Sequence, residues 1–122
     1  MKTLVLGASL NPARASHSCV LLLEDAGLPV EGIGLRAGSI GQQIVKTELD
    51  QIPEIHTVSL YLGPQNQSER VQSYILSLHP TRVIFNPGTE NPQFIKELRA
   101  AGIQIEIGCA LVMIKTNQYS IQ

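Results

Sequence analysis

Short, continuous apolar runs recur along this chain, separated by segments whose apolar residues repeat at three and four positions. The runs fall at Thr3–Leu6, Val30–Leu35, Thr57–Leu62, Arg82–Phe85 and Ile103–Ile107. Continuous rather than alternating apolar character predicts strands covered on both faces, as in a parallel sheet. Helical patterns lie between most of them, and strand and helix alternating at this spacing predict βαβ units. The expected fold is α/β, a doubly wound, mainly parallel five-stranded sheet with helices on both faces.

Each helical pattern carries its own start and stop signals. In the first, Ala15, Cys19, Leu22, Leu23 and Ala26 form the expected apolar stripe, Asn11 and Pro12 supply an N-cap and first residue, and Gly27 ends it. In the second, Val71, Tyr74, Ile75 and Leu78 make the stripe, Asn66 with Glu69 resembles a capping box, and Pro80 stops it. The third opens at Asn91-Pro92, buries Phe94, Ile95 and Leu98, and ends at Gly102. Residues 38–52 fit a short helix, a small edge strand or an ordered loop equally well. The run Leu111-Val112-Met113-Ile114 predicts an extra strand at the C-terminal edge of the sheet.

A chain of 122 residues, 43% of them hydrophobic, suits one domain over residues 1–122. Nine basic and ten acidic residues are intermixed, for a formal charge of −1. No basic tract supplies the electrostatic footprint of a duplex nucleic-acid binder. No apolar run approaches the roughly 20 residues of a membrane span, and no signal-peptide pattern opens the chain. The expectation is a cytoplasmic protein with neither nucleic acid nor membrane as partner. Two cysteines, Cys19 and Cys109, are too few for a disulfide scaffold and match no zinc spacing. His17, His56 and His79 read as surface or capping residues, and no metal site is expected.

In a doubly wound sheet, ligands bind beyond the carboxyl ends of the strands. The residues to inspect are therefore Gly7-Ala8-Ser9, Leu35-Arg36, Leu62-Gly63-Pro64, Asn86-Pro87-Gly88-Thr89 and Gly108-Cys109. The first group turns a strand into a helix, which aims backbone N–H groups and a positive helix end at one place and suits a phosphate. Arg14, in the first turn of that helix, makes more sense beside an anion than alone. Yet no glycine occupies positions 9 and 12, so the G-x-G-x-x-G fingerprint is incomplete. Arg36 stands where NAD-binding domains place an acidic residue, which disfavours NAD and keeps an enzyme using NADP or another adenine nucleotide as the alternative. Phosphoacceptor aspartates are missing after the first and third strands, which weakens a receiver-domain reading. Cys109 has no base that the sequence pairs with it, so it reads equally as a buried structural thiol or a reactive one.

Together, Gly7-Ala8-Ser9-x-Asn11-Pro12-x-Arg14-x-Ser16, the segment Phe85 to Asn91 and the Cys109 ending resemble the small single-domain CoA-binding proteins. Their fold is similar to the CoA-binding domain of the succinyl-CoA synthetase α subunit. The resemblance implies a Rossmann-like domain that binds coenzyme A or an acyl-CoA as a non-catalytic module. It puts the phosphates at Gly7, Ala8 and Ser9, with Asn11, Pro12, Arg14 and Ser16 close by. Leu35 and Arg36 would lie beside the adenosine part, and Tyr61, Leu62 and Gly63 along the wall. Asn86, Pro87, Gly88 and Cys109 would approach the pantetheine. After the second strand the chain departs from the pattern, with Gly32-Ile33-Gly34-Leu35-Arg36 in place of a more usual Val-Asn-Pro. No reaction comes with the resemblance; a homodimer or a further protein partner is left open.

Overall fold

A computed structural model describes residues 1–120. Seven strands, β1 (Lys2–Leu6), β2 (Val30–Ile33), β3 (Gly38–Ile40), β4 (Gln43–Lys46), β5 (Ile55–Leu60), β6 (Arg82–Phe85) and β7 (Gln104–Ile107), form one sheet in the order β3-β4-β2-β1-β5-β6-β7. Only β3 and β4 pair antiparallel. The sheet thus has seven strands rather than five. The two additional ones come from residues 38–46, where Gly41 (φ +57°) and Gln42 make a two-residue hairpin loop between Ile40 and Gln43.

Helices α1 (Ala15–Asp25), α2 (Glu69–Ser77), α3 (Pro92–Ala100) and α4 (Ala110–Lys115) cover the sheet. Leu4, Leu6, Val58, Leu60, Val83 and Phe85 face α2 and α3, with Phe85 and Phe94 edge to face at 6.1 Å. Val5, Ile84 and Tyr119 join Cys19, Val20 and Leu23 of α1 and Ala110 of α4 on the other face. Burial on both faces is why the strands carry unbroken apolar runs.

Three helix details differ from the sequence expectation. Asn11 does not cap α1: its Oδ1 accepts from Ala13 N at 3.0 Å and its carbonyl from Arg14 N at 3.0 Å, so these residues turn on themselves and Arg14 becomes the cap. The buried stripe of α1 is Ser16, Cys19, Val20 and Leu23, while Ala15 and Ala26 are exposed. Ser68, not Asn66, caps α2 by accepting from Val71 N. Asn91 caps α3 as expected, accepting from Phe94 N, with Pro92 at its first position. Residues 111–114 belong to α4 and not to an edge strand: Ala110 N is held by the Asn86 side chain, and this tertiary anchor overrides the β-branched preference of the run.

Candidate functional site

Leaving out the hairpin, the parallel strands run β2-β1-β5-β6-β7, and their order reverses between β1 and β5. Gly7 and Tyr61 lie just past the carboxyl ends of those two strands. Gly7 has φ +96°, and a Cβ there would lie 3.1 Å from the Tyr61 carbonyl carbon, so both backbone shape and space call for glycine. The N–H groups of Gly7 and Ala8 both donate to the Ile33 carbonyl, at 2.8 and 2.9 Å. They close the turn and are not free for a ligand.

The loop beyond is tied by its own side chains. Ser9 N donates to Ser16 Oγ at 3.0 Å, Asn11 N to Ser9 Oγ at 3.1 Å, and His17 Nδ1 to the Ser9 carbonyl at 3.0 Å. Ser16 is therefore a buried brace. Among the described residues, the N–H groups of Leu10, Ala15 and Ser16 have no hydrogen-bond partner. The first turn of α1 holds no acidic residue, and Arg14 is exposed beside it. This leaves an unneutralised helix N-terminus with free donors at the switch point and the exposed Arg14 as its cap residue.

Leu35 and Arg36 lie just past β2, which ends at Ile33 rather than Leu35. Leu35 is 95% exposed, and Arg36 is exposed without an ion pair among the described residues. On the other side of the switch point, Tyr61, Leu62 and Gly63 are half-buried. Among the described residues the buried Tyr61 hydroxyl has no hydrogen-bond partner, and burial together with the neighbouring Cys19 thiol pushes its ionisation far above the ordinary range. Cys19 is a core thiol, raised by burial, with Sγ 3.8 Å from Ser59 Oγ.

Asn86 is spent on the fold. Its Nδ2 donates to Ser59 Oγ at 3.0 Å and to the Leu60 carbonyl at 2.9 Å, while Oδ1 accepts from Ala110 N at 2.9 Å. One buried amide joins β5, β6 and the start of α4, so Asn86 holds the wall instead of lining it with a free group. Pro87 and Gly88 are exposed, and Gly88 N donates to Glu90 Oε1 at 2.8 Å. Cys109, half-buried, precedes α4 on the same edge.

Sequence reasoning missed Gln67. This buried side chain donates to the carbonyls of Leu62 and Thr89 at 2.8 and 2.7 Å and accepts from Asn91 Nδ2 at 2.9 Å. It locks the loop after β5 to the loop after β6. A lone glutamine in a polar loop carries no periodic signal, and two of its three partners, Thr89 and Asn91, are more than twenty residues away.

Two surface grooves lie elsewhere: one of about 350 Å³ beside Ile95, Lys96, Arg99 and Ile107, the other of about 460 Å³ beside Lys2, Glu31 and Ile44. No cluster of three metal-ligating side chains exists among the described residues, and no helix there is long and apolar enough to cross a membrane.

Residues 1–115 match the family model described as CoA binding domain. The chain belongs to this family. A crystal structure of an uncharacterized protein is 39% identical, superposes with a TM-score of 0.91 and is covered over 96% of each chain. A cell-free protein from Thermus thermophilus, 22% identical over 96% of this chain and 89% of its own, reaches a TM-score of 0.83. A conserved hypothetical protein from Pyrococcus furiosus, 18% identical over 93% and 97%, reaches 0.77. These two more distant likenesses show the fold alone. No curated protein matches the chain.

Proposed function

We propose that the protein is a CoA-binding module, with the phosphates of CoA or an acyl-CoA seated at the start of α1. One observation carries this reading: the free N–H groups of Leu10, Ala15 and Ser16 beside the exposed Arg14, at the strand-order reversal of a CoA binding domain. A pyrophosphate there meets donors, a helix dipole and a guanidinium able to make charge-assisted bonds. Gly7, Ala8, Ser9, Asn11, Pro12 and Ser16 shape this seat and brace it, so the binding groups lie one step further along than the glycine turn. Leu35 and Arg36 flank the adenosine part; Tyr61, Leu62 and Gly63 form one wall. Pro87, Gly88 and Cys109 face the pantetheine, on a frame that Asn86 and Gln67 hold. CoA brings a thiol on a long arm that carries acyl groups, and the proposed role is to sense, carry or present it to a partner.

Thermal denaturation with CoA, acetyl-CoA and NADP tests the reading. Ligand at 100 times its Kd adds about 2.7 kcal/mol, which raises Tm by several degrees in a domain of this size. No rise with millimolar CoA or acetyl-CoA would refute it. A larger rise with NADP would favour the adenine-nucleotide alternative, in which Arg36, exposed and without an ion pair among the described residues, takes a ribose phosphate.

A further inference from the structure

The segment from Ala110 to Ser120 crosses one face of the sheet from end to end. At the candidate site, Ala110 N donates to Asn86 Oδ1. At the opposite end, Tyr119 is 2% exposed, its hydroxyl lies 2.7 Å from Thr3 Oγ1, and its ring centroid lies 4.7 Å from the Arg82 guanidinium carbon. Thr3 and Arg82 both pair with Thr57, which places them in one row across the sheet. Between the two pins α4 has only six residues, too short to persist without its contacts.

The Tyr119 pin is costly to close. Arg82 is 0% exposed; its Nε donates to Thr57 Oγ1 at 3.1 Å, but among the described residues Nη1 and Nη2 have no hydrogen-bond partner. A buried guanidinium with unpaired nitrogens loses hydration that opening restores, and this opposes the cation–π contact and the Thr3 bond. The fold therefore contains an element whose closed form is opposed from within, connected directly to Gly108 and Cys109 at the candidate site.

We propose that Ala110–Ser120 is a strap latched by Tyr119, and that CoA at the opposite end holds the latch closed. The proposal rests on the CoA reading above. Gly108 and Cys109 keep their positions through the Ala110–Asn86 bond, so a ligand touching them binds the closed strap better than the open one. That differential affinity is what shifts the population. By reciprocity, loosening the latch weakens CoA.

Lys115, exposed at the end of α4, provides the readout. In limited trypsinolysis followed by intact mass, loss of residues 116–122 tracks the open population when opening is fast relative to cleavage. In the free protein, cleavage after Lys115 is expected before cleavage after Lys96 or Arg99 in α3, and CoA should slow it severalfold. Tyr119→Phe keeps the ring over Arg82 and removes the bond to Thr3; it should speed the cut in the free protein and weaken CoA severalfold. An unchanged rate at Lys115, at a CoA concentration that raises Tm, would overturn the strap and leave the CoA reading standing. No rise in Tm with CoA would remove both.

Discussion

The carbonyl oxygen of Ile33 accepts the N–H groups of Gly7 and of Ala8, at 2.8 and 2.9 Å. This pair of hydrogen bonds staples the exit of β1 to the end of β2 and sets where a ligand can find free donors. It also brings the backbone of Ala8 onto Gly34, where an added Cβ would lie 1.9 Å from the Ala8 oxygen. Gly34→Ala should therefore destabilise the protein by roughly 3 kcal/mol or more, because the added Cβ meets the Ala8 backbone rather than a side chain that could swing away. Urea unfolding of this variant within 0.5 kcal/mol of wild type, on the scale of ordinary surface changes, would contradict the close packing.

Asn86 yields a second prediction. Replacing it by alanine leaves Ser59 Oγ, the Leu60 carbonyl and Ala110 N without their buried partner. The expected loss is about 2–4 kcal/mol, from a cavity and unsatisfied polar groups together. The amide of Ala110 should lose its protection against hydrogen exchange in the same variant. A stable Asn86→Ala protein with Ala110 still protected would show that the joint is dispensable.

Much of the layout is legible in the sequence because burial writes it there. β6 matches its apolar run residue for residue, and α3 carries its cap, proline and stop where the sequence shows them. Elements fixed by distant partners are less legible. Leu111 to Ile114 read as a strand because the bond that sets them as a helix comes from Asn86, twenty-four residues back from Ala110. Asn11-Pro12 reads as a cap because an Asx turn uses the same residue types. At the candidate site the strand ends were readable, but which N–H groups remain free was not, since that depends on a carbonyl from β2.

Arg14 and Arg36 separate the two ends of the ligand. Both are exposed, so alanine there should leave unfolding unchanged within about 0.5 kcal/mol. Arg14→Ala should weaken CoA by roughly ten- to a hundredfold, the value of a charge-assisted contact of about 1.5–3 kcal/mol. Arg36→Ala should discriminate CoA from its form lacking the ribose 3′-phosphate less well than wild type does. Equal CoA affinity for wild type and Arg14→Ala, by calorimetric titration, would move the phosphates away from α1.

Alkaline stability follows from the buried phenols. Burial pushes Tyr119 up to about 12 from an ordinary 10, outweighing the bond to Thr3 that lowers it. Since the folded state holds this proton more tightly than the unfolded chain, the stabilisation is complete below pH 10 and is lost as pH rises toward 12. Burial raises Tyr74 likewise, to about 12. Urea unfolding across this range should show stability falling with pH, and less steeply in Tyr119→Phe. A flat profile in wild type would contradict the burial of these hydroxyls.

Direct calorimetric titration of CoA into the protein asks which ligand the switch point holds. Saturable binding at one site per chain is expected, weakened by Arg14→Ala. Absence of saturable binding at millimolar CoA, in protein that unfolds cooperatively, would contradict it.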